Sequence, residues 1–267
     1  MPKKALGQHF LSDPRILARI AGALPAGAGA AVLEIGPGRG ALSRALVSRG
    51  VRLTMIERDR DLVAGLAREF PESTVIEADA LDVNWLTALG VPPGGPWYVI
   101  GNIPYNITSP LIEKALDQAW PPVAIVYLVQ KEVAVRLAAE PGTSEYGALT
   151  VGVAVAATVE RLFTVPAGAF WPPPKIDSAL VRIVPRSPAL VRDARFRRLV
   201  VGLFGGRRKQ LVRALRTVLD LEDGPARGLV ERAGLRTDQR PETVGVEEFV
   251  RLFRVVVDEG MADPLTL

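Results

Sequence analysis

Six consecutive residues, Gly101-Asn102-Ile103-Pro104-Tyr105-Asn106, put a carboxamide, a proline and an aromatic ring side by side. They follow Trp97-Tyr98-Val99-Ile100, an apolar run that reads as a buried parallel strand. Pro104 lacks the N–H that a sheet ladder needs, so the strand ends near it. In open α/β sheets, ligands bind at the C-terminal edge of the strands. There, Asn102 Oδ1 and the backbone carbonyl of Ile103 or Pro104 can accept both N–H bonds of an exocyclic amine, while Tyr105 stacks on the base that carries it. Asn102, Pro104 and Tyr105 are therefore the candidate catalytic group. The plainer alternative is a strand-to-helix turn with a surface tyrosine.

Three earlier strands end in residues suited to an adenosine-bearing cofactor. Ala31-Val32-Leu33-Glu34-Ile35 runs into Gly36-Pro37-Gly38-Arg39-Gly40, a turn whose glycines let a ligand approach the backbone closely. Its Gly-x-Gly-x-Gly spacing departs from the Gly-x-Gly-x-x-Gly of dinucleotide sites. Arg52-Leu53-Thr54-Met55-Ile56 ends at Glu57, where a carboxylate can accept both hydroxyls of a ribose. Thr74-Val75-Ile76-Glu77 is followed by Ala78-Asp79-Ala80, an acid and a small residue that suit an adenine's amino group and face. Glu57 fits a nicotinamide or an S-adenosylmethionine site. Asp79 and the Asn102 loop favour S-adenosylmethionine.

These residues need a sheet to hold them. Val123 to Val129 reads as a fifth strand, and the apolar spacings at Leu42–Val47, Leu62–Phe70 and Leu111–Leu116 read as helices between strands. Five strands alternating with helices imply a doubly wound parallel sheet. Arg161 to Val165 and Ala179 to Val184 read as two further strands, joined by a stiff, proline-rich, aromatic stretch from Pro166 to Ser178 that could line a substrate site. Ala148 to Ala157 shows no decisive periodicity. Ser12 or Asp13 can cap a first helix that has Pro14 in its first turn. His9 just before it carries no distinctive pattern of its own.

Composition removes several classes. The 267 residues contain no cysteine and one histidine, which excludes disulfides, thiolate zinc sites and cysteine nucleophiles and disfavours a His-rich metal centre or a Ser-His-Asp triad. No metal is expected. No signal peptide or membrane-spanning run is found, so a cytoplasmic protein is expected; a monomer is the expected state. The formal net charge is +4, which mildly favours a polyanionic partner. After Pro185 the chain becomes helical and rich in arginine. A helix is expected from about Arg208 to Leu219, with Leu211, Leu215, Val218 and Leu219 on one face and Lys209, Arg213 and Arg216 on another. With Arg207 and Arg208 at its start, this makes a cationic surface able to meet phosphates. The expected division is 1–185, an α/β catalytic domain, and 186–267, a small helical RNA-binding domain.

Taken together, the chain resembles the ribosomal RNA adenine dimethyltransferases of the small-subunit type. The likeness runs from Gly7 to about Phe253. It is carried by Gly7-Gln8-His9-Phe10-Leu11, Glu34-Ile35-Gly36-Pro37-Gly38, Asn102-Ile103-Pro104-Tyr105, Gln130-Lys131-Glu132-Val133, Tyr146-Gly147, Pro172-Pro173-Pro174-Lys175-Ile176-Asp177-Ser178, Arg207-Arg208-Lys209 and Arg240-Pro241-Glu242. His9 stands where many members carry Asn, and Ile103 where many carry Leu. The resemblance implies a Rossmann-like, seven-stranded class I methyltransferase sheet followed by a small all-helical domain. It implies that His9, Leu11, Gly36, Glu57, Asp79 and Asn102 line the S-adenosylmethionine site. It also implies N6,N6-dimethylation of two adjacent adenosines in the 3′-terminal hairpin loop of 16S ribosomal RNA, on a precursor of the 30S subunit, during ribosome biogenesis. Tyr105 would carry the target adenine, with Phe170 as a second ring. The alternatives are a large-subunit rRNA adenine methyltransferase conferring antibiotic resistance, a non-catalytic ribosome assembly factor and, more remotely, a nicotinamide dehydrogenase.

Overall fold

The computed structural model describes residues 8–186 and 193–262. The basic opening stretch up to Gly7 lies outside them. By its internal packing the described chain forms two units, 8–134 with 158–185, and 135–157 with 186 and 193–262.

The first unit is built on a seven-stranded sheet. Its strands, in chain order, are β2 (Ala31–Ile35), β3 (Arg52–Glu57), β4 (Thr74–Glu77), β5 (Trp97–Asn102), β6 (Ala124–Gln130), β7 (Ala157–Val165) and β9 (Ser178–Pro185), with spatial order β4-β3-β2-β5-β6-β9-β7. The first five pair in parallel, and β9 runs antiparallel to β6. Strands β2 and β5 sit mid-sheet and are apolar almost throughout, because helices cover both faces of a parallel sheet. Strand β5 extends through Gly101 and Asn102, two residues beyond the apolar run. Gly101 permits this: any Cβ there would come within 2.6 Å of the Ile35 carbonyl oxygen on β2.

The helices of this unit include α1 (Pro14–Ala23), α2 (Ala41–Val47), α3 (Arg60–Glu69), α4 (Trp85–Leu89) and α5 (Thr108–Leu116); α6 (Lys131–Leu137) follows β6 directly, and its residues from Val135 on are counted with the second unit. Asp13 is the cap of α1, accepting the Arg15 and Ile16 N–H groups, and Pro14 opens the helix. A two-residue strand β1 (Phe10–Leu11) pairs antiparallel with β8 (Phe170–Trp171), so Phe10 stands opposite Trp171 and Leu11 opposite Phe170.

The second unit is all-helical: α7 (Ala148–Ala154), α8 (Ala194–Gly205), α9 (Leu211–Leu219), α10 (Asp223–Arg232) and α11 (Val246–Asp258). Its core holds Phe196, Leu203, Leu215, Leu229, Phe249 and Phe253. The segment 135–157, placed by the sequence with the α/β part, packs here instead. Its Tyr146 and Val151 enter this core, and the Tyr146 hydroxyl donates to the Val244 carbonyl at 2.8 Å. Helix α9 begins at Leu211 rather than near Arg208. Arg207 and Lys209 lie in turns closed by their N–H groups on the Phe204 and Gly206 carbonyls, and Leu211 N–H donates to Gln239 instead of continuing the preceding turn.

Candidate active site

The C-terminal ends of β2, β3 and β5 and the turn after β4 open onto one cavity of about 380 Å³, within the roughly 300–1,000 Å³ range of small-molecule sites. Of the residues expected to hold a cofactor, His9, Leu11, Gly36, Glu57, Asp79 and Asn102 all line it, and so do Pro104 and Tyr105.

Asn102 ends β5 and is half-buried. Its Nδ2 donates to the His9 carbonyl at 2.9 Å. A carbonyl can only accept, so this bond fixes the amide with Oδ1 as the acceptor left over. Beyond it, the Pro104 carbonyl accepts the Ile107 N–H at 3.2 Å, closing the turn that leads into α5. No turn, loop or cap bond among the described residues engages the Ile103 carbonyl.

Glu57 is held from two sides. Its Oε2 accepts the Gly38 N–H at 2.9 Å and its Oε1 the Asp59 N–H at 2.7 Å. Burial raises its pKa, and these backbone bonds partly offset the rise. A carboxylate has about four acceptor positions, so some capacity is left over for a ligand hydroxyl. Gly38 sits at φ +59°, and a Cβ there would come within 2.9 Å of the Phe10 ring, so the turn stays close to the cavity only with glycine. Asp79 is fixed by the Leu81 N–H at 2.9 Å and by the Arg58 guanidinium at 3.0 Å.

Glu34, one residue before the glycine turn, lines the same cavity and is 1% exposed. Its Oε2 has no hydrogen-bond partner among the described residues. Burial pushes its pKa up to about 8, helped by the nearby Glu57 carboxylate and opposed by Ser43. The motif containing Glu34 was legible in the sequence, but its side chain's place in the cavity was not. The cavity thus offers acceptors on several sides and a buried carboxyl with one unpartnered oxygen. That set of acceptors fits a ligand bearing a ribose and an exocyclic amine.

The aromatic residues divide differently from expectation. Tyr105 is half-buried, and its hydroxyl lies 2.8 Å from Ser178 Oγ on β9. Burial raises its pKa and Ser178 offsets part of the rise, so it is a neutral phenol and no base at ordinary pH. The His9 ring lies nearly parallel to the Tyr105 ring, at 19° with centroids 6.1 Å apart, and its Nδ1 donates to the Pro172 carbonyl at 2.7 Å. Phe170 does not reach the cavity. It is 4% exposed and packs with Leu11, Leu128 and Leu180 in the core, while its neighbour Trp171 lines the cavity. Alternation along β8 puts successive side chains on opposite faces, which corrects the expectation of Phe170 as a second ring in the site.

In the helical unit, Arg207, Arg208, Lys209 and Arg240 surround a shallow concavity with Gly205 and Gly206. Arg207 is bound to Glu242 at 2.9 Å and to the Ser144 carbonyl at 3.1 Å. Arg216 turns toward the Leu221 carbonyl and Asp223. Arg213 is exposed on α9. Of the three cations expected on one helix face, Lys209 therefore lies outside α9, in the turn before it with Arg207 and Arg208, while Arg213 and Arg216 stay on the helix. No cluster of three or more His, Asp or Glu side chains among the described residues could hold a metal ion. No described helix is long and apolar enough to cross a membrane.

Residues 2–256 match the family described as ribosomal RNA adenine dimethylase. A ribosomal RNA small subunit methyltransferase A from Xanthomonas oryzae pv. oryzae is 45% identical, with 95% of both chains covered. Its counterpart from Xanthomonas campestris pv. campestris is 44% identical over the same shares. Among solved structures, a dimethyladenosine transferase from Plasmodium falciparum superposes with a TM-score of 0.80 at 25% identity, covering 94% of this chain and 98% of the other. The 23S rRNA methyltransferase ErmE superposes with a TM-score of 0.68 at 29% identity, covering 93% and 99%.

Proposed function

This chain belongs to the ribosomal RNA adenine dimethylase family, and on that premise we propose how its cavity carries out the reaction and on which adenosines. The protein is an S-adenosylmethionine-dependent methyltransferase that dimethylates adenine in small-subunit ribosomal RNA.

When bound, S-adenosylmethionine supplies an electrophilic methyl group. Glu57 would hold its ribose and Asp79 its adenine amino group. Gly36, Leu11 and His9 would form the surrounding wall. The target adenine rests on Tyr105, out of its RNA stack. Its amine is a poor nucleophile because the lone pair is delocalised into the ring. Asn102 Oδ1 and the Ile103 carbonyl accept its two N–H bonds and hold the amine pyramidal, with its lone pair free. The Pro104 carbonyl is already used in the turn. This is positioning and electrostatic stabilisation, with no general base: the N–C bond would form as the methyl's bond to sulfur breaks to leave a neutral thioether, and the proton displaced from the amine would pass to water. After the first transfer one N–H remains, so the second proceeds with one of these bonds.

The observation that carries this reading is the Asn102 amide, pinned through Nδ2 to the His9 carbonyl at the end of β5 with Tyr105 three residues on. The targets are two adjacent adenosines in the 3′-terminal hairpin loop of 16S RNA, within a 30S precursor, and the enzyme works as a cytoplasmic monomer without a metal. Arg208, Lys209, Arg213 and Arg240 meet the RNA backbone. Small-subunit relatives at 44–45% identity outweigh the 29% of the large-subunit enzyme. The intact set of Glu57, Asp79, Asn102 and Tyr105 around one cavity favours catalysis over an idle assembly role. The test is nucleoside mass spectrometry of both ribosomal RNAs after incubation with labelled S-adenosylmethionine. Dimethyladenosine at two adjacent small-subunit positions is expected, and label confined to large-subunit RNA would overturn the assignment.

A further inference from the structure

The four tryptophans of the chain are not placed alike. Trp85 and Trp97 are fully buried, with their indole N–H groups satisfied by the Ala80 and Trp120 carbonyls. Trp171 is 55% exposed, on a stretch stiffened by Pro172, Pro173 and Pro174. It lines the cavity that also holds Tyr105 and Asn102. Ile176 further along is 41% exposed, and Lys175 between them is exposed too. The ladder opposite places Phe10 beside Trp171, and the Arg39 guanidinium lies 4.8 Å from the Phe10 ring and 5.6 Å from the Trp171 ring.

A large flat ring kept in water on a rigid support, next to a cation and on the wall of a site for an unstacked base, has the makings of a nucleic-acid platform. We propose that Trp171 stacks a nucleobase flanking the target adenine of the RNA substrate, while Arg39 and Lys175 meet the neighbouring phosphates. This rests on the reading of the cavity as the site of RNA adenine methylation. An unpaired neighbour of the target has lost its own stacking partner when the target leaves the stack. Trp171 replaces that partner, keeps the strand open and sets the register of the adenine on Tyr105. Stacking reads no base edge, so the platform accepts any base, and purines best.

The experiment uses the full chain, S-adenosylmethionine and a hairpin RNA with two adjacent loop adenosines. Wild-type tryptophan fluorescence should be quenched on RNA addition. Trp171→Phe should lose most of that quenching while keeping the KM for RNA within about threefold. Trp171→Ala should raise the KM for RNA by about tenfold, within the range of one lost base–aromatic stack, with cofactor affinity and melting temperature unchanged. An Ala variant with wild-type KM for RNA, or one whose loss falls on cofactor affinity instead, would overturn the platform while leaving the activity in place. A wild-type protein that bound the hairpin without methylating it would overturn the functional reading, and the platform with it.

Discussion

The Tyr105 hydroxyl lies 2.8 Å from the hydroxyl of Ser178, a fully buried residue at the start of β9 that stands opposite Gln130 of β6. A ring that only had to be flat could have been Phe. The bond anchors the ring's far edge to the sheet, so its plane is set before the adenine arrives. Tyr105→Ala should lower methyl transfer by at least tenfold, since stacking contributes about 1–3 kcal/mol per base. Tyr105→Phe and Ser178→Ala should each lower kcat several-fold with little change in cofactor affinity. The double variant Tyr105→Phe/Ser178→Ala should be no worse than the poorer single one, because both remove the same bond. Fully additive losses would show that Ser178 acts elsewhere.

Glu57→Ala should weaken S-adenosylmethionine binding, because charge-assisted bonds contribute roughly 1.5–3 kcal/mol. The same change frees the Gly38 and Asp59 N–H groups, so a lower melting temperature should accompany it. Calorimetry showing wild-type affinity would remove Glu57 from the cofactor site.

Glu34 should make stability depend on pH. Its folded pKa is about 8 against an ordinary 4.5, so between these values the folded state keeps a proton that the unfolded state has lost. Stability therefore falls as pH rises through that window. Glu57, also shifted upward, adds to the same slope. Glu34→Gln mimics the protonated form and should flatten the decline. Urea denaturation at pH 5 and pH 8 checks it, and an unchanged slope in the variant would contradict the assignment.

Replacing Arg208, Lys209 and Arg213 by Gln should weaken RNA binding and reduce its salt dependence. Each lost phosphate contact lowers the log–log slope by up to about 0.9. Arg216→Gln should do less, because that side chain is already turned toward Asp223. Filter binding over a salt series reads both.

Much of the sheet was legible because its signals are local. Strands Ala31–Ile35 and Thr74–Glu77 have the bounds their apolar runs suggest, and the acids that end β3 and follow β4 stand where the ladder predicts. What escaped depends on contacts distant in sequence. The pairing of Phe10–Leu11 with Phe170–Trp171 spans two residues per strand, too few for any period to register. It alone decides that Trp171 and not Phe170 meets the cavity. The grouping of 135–157 with the helical unit follows from Tyr146 and Val151 entering a core whose other members come after residue 193. Ser178 was visible in its motif, but nothing local says that its hydroxyl meets a tyrosine 73 positions away.

The central claim is that Asn102, held by the His9 carbonyl, positions the adenine amine. It is tested most directly by the single-turnover rate of methyl transfer in Asn102→Ala with both substrates saturating. Loss of a preorganised polar contact of this kind costs about 10²–10³ in rate. A fall of that size is expected, with the RNA still bound and the cofactor site filled at high concentration. An Asn102→Ala enzyme that transfers methyl groups within a few-fold of the wild-type rate would contradict it.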